Sequence, residues 1–317
     1  MKVKFSTLVL ILIGIWVAGS LTFAALYLAR RGPSGAEAIV AAPRILTNQP
    51  PTFFGNLKAP PDVALSGPLA VDAATDGRVY VADSGNSQIK VFDRDGNYSA
   101  SFGRRGSGQG ELEYPSGLRV KDGRVYVADF KNNRVAVFST EGQFILNLTQ
   151  GRGKEPLAPL AIDVDDEGAV YIADRSHRVI VLDRQGRFVR AFGKGGAEDG
   201  QLAYPNGILL TRDRVYVSDS GNGRVQVFDR SGQFLSKLEG FVNPRGLAAD
   251  SRGRLYVVDT LTHSVTVFSR EGTRLFSFGT RGTEGGQFNF PNGIAIDGAD
   301  HIFVTDRENN RVCVWRY

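Results

Sequence analysis

The chain has 317 residues, with 38 lysines and arginines against 33 aspartates and glutamates, and a formal net charge of +5. Four of the positive charges, Lys2, Lys4, Arg30 and Arg31, precede every acidic residue, so the rest of the chain carries 34 positive (38 less 4) and 33 negative charges. A domain with a net charge near +1 attracts polyanions weakly, which disfavours nucleic acid as its partner. The single cysteine, Cys313, excludes an internal disulfide.

The N-terminal segment contains a long uncharged run at residues 5–29. At 1.5 Å per residue, a helix of this length crosses a bilayer core of about 30 Å, and the run is longer than the apolar core of a secretory signal. We therefore predict an uncleaved membrane anchor at residues 1–31, with the helix at about 5–29, followed by a linker at residues 32–50. The chain is then a single-pass membrane protein whose larger domain, residues 51–317, lies outside the cytoplasm.

A short apolar phrase that ends in aspartate recurs six times in the remaining sequence. The intervals between these aspartates are 46, 45, 45, 40 and 47 residues, by subtraction of their positions. A period of about 40–50 residues built from short apolar runs indicates a β-propeller with one blade per repeat. The six positions are Asp83, Asp129, Asp174, Asp219, Asp259 and Asp306.

Each repeat contains four strand-like runs separated by turn residues. In the second repeat the runs are residues 117–120, 124–129, 135–139 and 144–148, and Asp-Gly and Glu-Gly pairs mark two of the turns. This pattern is typical of an antiparallel meander, and no helical period appears between residues 50 and 317. The sequence predicts an all-β domain.

The sixth repeat ends after its third strand, at residues 311–315. Residues 52–55, Thr-Phe-Phe-Gly, match the ends of fourth strands elsewhere, such as Ser-Phe-Gly at 101–103. We therefore predict a six-bladed propeller of four-stranded blades that an N-terminal strand closes, since closure removes a free sheet edge.

Four motifs in these repeats resemble those of the NHL-repeat β-propellers. They are Pro-x-Gly-Ile-Ala-x-Asp at 291–297, Tyr-Val-Ala-Asp at 126–129, Asp-x-x-Asn-x-Arg-Val-x-Val-Phe at 129–138, and Phe-Gly-x-x-Gly at 102–106. The resemblance covers roughly residues 50–317. Blades two, four and six carry the Asp-x-x-Asn-x-Arg element intact, whereas blades one, three and five depart from it.

Strand direction places the Asp-x-x-Asn-x-Arg loops on the same face as the connections between blades. Three of these connections, 102–115, 192–205 and 278–291, are long and rich in glycine, and they lead into blades two, four and six. Because such loops carry binding more often than scaffold strands do, this face is the candidate binding surface. Its basic residues are Arg104, Arg105, Lys131, Arg134, Lys194, Arg224, Arg281 and Arg311.

The three motif arginines among them, Arg134, Arg224 and Arg311, have an alternative role. A guanidinium group has five N–H donors, so each of these side chains can join its loop to a neighbouring aspartate without contacting a ligand.

The resemblance implies a membrane-tethered binding or scaffold module whose loop-rich face recognises a protein or an extracellular ligand. A first alternative is a metal-dependent enzyme similar to the amidating lyases, although His177, His263 and His301 do not form an obvious set of three zinc ligands. A second alternative is an RNA-binding domain. The sequence predicts no catalytic residue, no metal and no cofactor.

Overall fold

The computed structural model describes residues 49–149, 151, 153 and 155–317. These residues form six four-stranded antiparallel sheets, which confirms the predicted all-β, six-bladed propeller. Across this part of the chain, no helix has the length and apolar character that crossing a membrane requires. The predicted anchor, together with residues 32–48 of the linker, lies outside the described residues.

The first strand, β1 (Thr52–Asn56), precedes the sheets of blades one to three. Blade one contains β2 (Pro68–Ala73), β3 (Val79–Asp83), β4 (Gln88–Phe92) and β5 (Tyr98–Phe102). Blade two contains β6 (Pro115–Lys121), β7 (Arg124–Asp129), β8 (Arg134–Ser139) and β9 (Phe144–Leu148). Blade three contains β10 (Pro159–Val164), β11 (Val170–Asp174), β12 (Arg178–Leu182) and β13 (Phe188–Phe192).

Blades four to six follow the same order. Blade four contains β14 (Pro205–Leu210), β15 (Arg214–Asp219), β16 (Arg224–Asp229) and β17 (Phe234–Leu238). Blade five contains β18 (Pro244–Ala249), β19 (Leu255–Asp259), β20 (Ser264–Phe268) and β21 (Arg274–Phe278). The connection to blade six holds a short parallel pair, β22 (Thr280–Arg281) and β23 (Gln287–Phe288), and blade six contains β24 (Pro291–Ile296), β25 (Ile302–Asp306) and β26 (Arg311–Arg316).

Four short 3₁₀ helices complete the described structure. They are Pro61–Val63, Phe130–Asn132, Ser220–Asn222 and Arg307–Asn309. The last three follow the motif aspartates of blades two, four and six, the blades in which the motif is intact.

Strand β1 completes blade six by pairing antiparallel with β26, as the sequence predicts. Phe53 lies opposite Trp315, and their rings contact edge to face with centroids 5.7 Å apart. The pairing supplies hydrogen-bond partners to the outer edge of β26, so the ring closes on strands from both ends of the domain.

The hydrophobic core lies between neighbouring sheets. Between blades one and two, for example, Tyr80 and Ile89 pack with Leu118 and Val125 in one buried cluster. The second and third strands of each blade supply most of these residues, because both faces of a propeller blade are covered by adjacent blades.

The six innermost strands approach one another closely around a narrow central channel. A ring of small residues makes this approach possible: Ala70, Gly117, Ala161, Gly207, Gly246 and Gly293. A Cβ added at Gly207 would lie only 1.9 Å from the carbonyl oxygen of Arg245 in the next blade. The channel cavity has a volume of about 70 Å³.

Candidate functional site

One face of the ring carries both the connections between blades and the loops between second and third strands; we call it the loop face. Its main segments are the long connections 102–115, 192–205 and 278–291 and the motif loops 129–134, 219–224 and 306–311. The two kinds of loop contact each other directly, since Asn132 Nδ2 donates to the carbonyl oxygen of Gly106 at 2.9 Å. The predicted assignment of these loops to one face is therefore correct.

The motif arginines join these loops. Arg134 Nε donates to Asp129 Oδ2 at 2.8 Å, and its terminal nitrogens donate to the carbonyl oxygens of Ser107, Gly108 and Glu111 at 2.9, 3.0 and 2.7 Å. The Arg134 side chain is only 8% exposed. Its donors are thus directed into the protein, toward the preceding long connection.

Arg224 and Arg311 repeat this arrangement in blades four and six. Arg224 donates to Asp219 at 2.8 Å and to carbonyl oxygens of the 192–205 connection. Arg311 donates to Asp306 at 2.7 Å and to carbonyl oxygens of the 278–291 connection. This geometry matches the alternative role considered for the three arginines, in which they hold the loops in place.

The motif aspartates have a matching structural role. Each accepts a backbone N–H from the connection that leads into its own blade, as when Glu113 donates to Asp129 at 2.7 Å and Asn289 donates to Asp306 at 2.6 Å. Burial raises the pKa of Asp129, against the opposing effect of Asn132, Glu113 and Arg134. The repeated carboxylates therefore hold strand and connection together in each blade.

Blade one replaces the missing motif arginine in a way that the sequence does not reveal. Lys90, on β4, lies two residues after the position where the arginine would stand, and its Nζ is 3.0 Å from Asp83 Oδ2. Nζ also donates to the carbonyl oxygen of Ala64 at 2.6 Å, in the preceding connection. In blade three, Arg178 instead pairs with Glu155.

Five of the eight predicted basic residues are exposed on the loop face: Arg104, Arg105, Lys131, Lys194 and Arg281.

Two of these five pair with acidic residues. Arg104 Nη2 lies 3.0 Å from Glu111 Oε1, and Lys131 Nζ lies 3.8 Å from Glu113 Oε1.

Within the residues that the structure describes, the other three have no carboxylate partner. They are Arg105, Lys194 and Arg281. Each lies in a different long connection, so one such cation precedes each of blades two, four and six.

An aromatic residue ends each long connection in a left-handed backbone conformation. Tyr114, Tyr204 and Phe290 have φ values of 61°, 48° and 53°, and each precedes a proline. Such values are strained for bulky residues and occur where the surrounding structure imposes them. Tyr204 is 58% exposed.

Histidine side chains hold two of these aromatic residues. His177 Nδ1 accepts the backbone N–H of Tyr204 at 3.1 Å, and His263 Nδ1 accepts that of Phe290 at the same distance. His301 lies on the opposite face, where its Nδ1 is 2.8 Å from Asp297 Oδ2. The three histidines therefore occupy separate places.

Among the described residues, no group of three or more His, Cys, Asp or Glu side chains is arranged to hold a metal ion. Cys313 is buried, and burial raises the pKa of its thiol to about 12.

Two family matches agree with the architecture. A family described as a 6-bladed beta-propeller matches residues 57–148, and the NHL repeat matches residues 202–228, 241–268 and 288–315. The gluconolactonase from Xanthomonas campestris superposes with a TM-score of 0.65 at 16% identity, covering 84% of this chain and 95% of that chain. At this level of identity the likeness shows the fold alone.

Two curated relatives match the chain over part of its length. NHL repeat-containing protein 3 of Mus musculus is 27% identical over 186 residues, which are 50% of this chain and 52% of that protein. Protein brain tumor of Drosophila melanogaster is 32% identical over 127 residues, which are 38% of this chain and 12% of that protein. The chain thus spans about half the length of the first relative and a small part of the second. It contains NHL repeats and folds as a six-bladed β-propeller.

Proposed function

We propose that the propeller is a protein-binding module, that the loop face is its contact surface, and that residues 5–29 tether it to a membrane with the propeller outside the cytoplasm. NHL propellers are commonly protein-interaction modules, which supports the first part. The observation that carries the choice of surface is the set of three cations without carboxylate partners, Arg105, Lys194 and Arg281.

The positions of these cations favour binding of an acidic partner. A cation that already pairs with a carboxylate must exchange that contact for a new one, whereas Arg105, Lys194 and Arg281 have no such contact to lose among the described residues. Opposite charges across an interface also speed encounter and set orientation. An acidic protein surface is therefore the partner chemistry that this face fits.

The loops that carry the cations are held in place before binding. Arg134, Arg224 and Arg311 each donate several hydrogen bonds to the backbone of the adjoining long connection. Because these connections are already ordered, binding requires less loss of conformational entropy. The exposed ring of Tyr204 adds the kind of rigid amphipathic side chain that is frequent at the centres of interfaces.

Charge reversal tests the surface. Cross-linking of the intact protein in its own membrane identifies a partner, whose affinity is then measured for the variant Arg105→Glu/Lys194→Glu/Arg281→Glu. We expect binding to weaken by at least about tenfold, which corresponds to about 1.4 kcal/mol. Unchanged affinity in a folded variant would contradict the assignment of the loop face.

A matched control is available on the opposite face. Arg94, Arg184 and Arg270 are exposed in the turns between third and fourth strands of blades one, three and five. Reversing these three charges changes the net charge by the same amount, and we expect the partner's affinity to stay within about twofold. An equal loss in both triple variants would point to net charge rather than to a specific surface.

Two further measurements test the RNA-binding alternative and the membrane tether. Filter binding of RNA over a salt titration tests the nucleic-acid reading, because phosphate contacts give a strong salt dependence. If RNA is retained on the filter in a salt-dependent way, and Arg105→Glu/Lys194→Glu/Arg281→Glu abolishes this retention, RNA rather than protein is favoured as the partner.

Protease treatment of intact cells tests the membrane tether. We expect the protease to digest the propeller from outside the cell, and full protection of the propeller would contradict that orientation.

A further inference from the structure

Each innermost strand begins with a proline at the loop-face end of the central channel, and of the six residues that follow these prolines four line the channel cavity. The six residues are Leu69, Ser116, Leu160, Asn206, Arg245 and Asn292. Blades four, five and six, which are consecutive, contribute the three side chains of this set with nitrogen donors. We call Asn206, Arg245 and Asn292 the channel-mouth triad.

The three blades bring these residues close together. A Cβ added at Gly207 would lie 1.9 Å from the carbonyl oxygen of Arg245, and one added at Gly246 would lie 2.5 Å from the carbonyl oxygen of Asn292. The backbones of β14, β18 and β24 are therefore almost in contact at this level. Three donor-bearing side chains start from one tightly packed arc at the channel mouth.

Arg245 is a partly buried cation with no acidic partner among the described residues. Its Nε donates to Asn243 Oδ1 at 2.9 Å, and no hydrogen bond or ion pair within the described part of the chain involves its terminal nitrogens. Burial, and then the nearby positive charge of Arg307, lower the pKa of Arg245. Both effects oppose its charge, so an anion at this place would relieve an existing electrostatic imbalance.

Asn292 provides an independent observation. The residue is only 7% exposed and lines the channel cavity, yet its Nδ2 is buried without a hydrogen-bond partner. Buried amide donors in native proteins almost always have an acceptor. In blade four, Asn206 also lines the cavity, and its Nδ2 donates to the carbonyl oxygen of Tyr204 at 3.0 Å. Neighbouring blades thus place at the mouth one buried amide donor without an acceptor and one guanidinium group without a carboxylate partner among the described residues.

We propose that the channel-mouth triad is a carboxylate-binding site. The planar guanidinium group of Arg245 presents parallel donors that match the two oxygens of a carboxylate, and Asn292 supplies a further donor. The ring of small residues below narrows the channel, so the ligand is held at the mouth. The carboxylate comes from an acidic side chain of the bound protein, in which case the inference rests on the proposed function, or from a free small acid.

Two probes distinguish these sources on the purified full-length chain. One is a hexaglutamate peptide with blocked ends, and the other is free glutarate, each titrated by calorimetry at matched ionic strength. We expect Arg245→Met and Asn292→Asp to weaken binding of the effective probe at least tenfold. Arg212→Met, an exposed arginine on the opposite face, should leave binding unchanged.

The outcomes are separable from those of the proposed function. If the carboxylate comes from a bound protein, Arg105→Glu/Lys194→Glu/Arg281→Glu also weakens binding of the hexaglutamate peptide. If it comes from a free small acid, glutarate binding depends on the channel-mouth triad alone. The channel-mouth triad could bind glutarate while Arg105→Glu/Lys194→Glu/Arg281→Glu keeps its affinity for the protein partner. That result would support the carboxylate site and contradict the loop face as the protein-binding surface. If the wild type binds neither probe, or if folded Arg245→Met binds both as the wild type does, the carboxylate site is refuted. If Arg245→Met does not fold, Asn292→Asp decides the question by the same criterion.

Discussion

Removal of the Arg134 side chain tests whether the motif arginines are structural. In Arg134→Met, Asp129 loses its 2.8 Å ion pair, and three carbonyl oxygens of the preceding connection lose their donors. Breaking a buried ion pair by removing one member costs about 3–5 kcal/mol. Because Asp129 keeps hydrogen bonds from Glu113 and Asn132, we expect the lower end of that range, about 3 kcal/mol.

The assays are urea unfolding, which measures the free energy of unfolding, and thermal unfolding, both of the wild type and the variant at neutral pH. A loss of about 3 kcal/mol lowers the melting temperature by roughly 6–12 °C, at roughly 2–4 °C for each kcal/mol in a domain of this size. Trypsin supplies a local measurement, because it cleaves after Arg104 and Arg105 in the connection that Arg134 holds. We expect faster cleavage there in the variant, under conditions in which the rest of the domain stays folded.

A matched control is Arg178→Met in blade three. Arg178 begins the equivalent strand but pairs with Glu155, whose side chain is 55% exposed. Exposed pairs of this kind contribute about 0–1 kcal/mol. If Arg134→Met is as stable as Arg178→Met and its connection is no more sensitive to trypsin, then the structural role of the motif arginines is wrong.

Three further predictions concern ring closure, packing at the channel and pH. Deletion of residues 50–56 removes β1 and exposes the edge of the strand that contains Trp315, so we expect aggregation by light scattering; a monodisperse deletion protein would contradict this. Gly207→Ala should prevent correct folding, because the added methyl group meets backbone 1.9 Å away, whereas Gly298→Ala, with nothing within 4 Å, should behave as the wild type in circular dichroism and yield. Burial, and then Arg281, lower the pKa of His263 from its usual value, so the folded state resists protonation. The contribution of neutral His263 to the free energy of unfolding is therefore fully present above about pH 6.5, and it is lost as the pH falls below that value. His263→Asn should reduce this loss in urea unfolding at pH 5 and 7.5, and parallel losses in both proteins would refute the role of His263.

The fold was predictable because each repeat encodes one sheet. The spacing of the motif aspartates indicates six blades, and the run at residues 144–148 corresponds to β9 (Phe144–Leu148). Closure was also predictable, since residues 52–55 carry the same pattern as the other fourth strands. Strand direction then placed the long connections and the motif loops on one face without any structural information.

The details of the site were less accessible because they do not repeat. Lys90 takes over the arginine's role from a different position on its strand, so motif alignment does not find it. Arg245 stands at a position where no other blade has an arginine, and the meaning of Arg245 and Asn292 depends on which charges and acceptors the neighbouring blades bring near them. Tyr114 precedes a proline, a context that favours extended backbone, yet tertiary contacts impose a φ of 61°.

The seal between β1 and β26 has a consequence for how the protein is made. Thr52 donates to the carbonyl oxygen of Arg316, a partner 264 positions later in the chain. At a translation rate of about 5–20 residues per second, roughly 13–53 s pass between the synthesis of β1 and the synthesis of its partner strand, β26. During that interval the strand that pairs with β1 does not yet exist, so the ring cannot close until β26 has been synthesised.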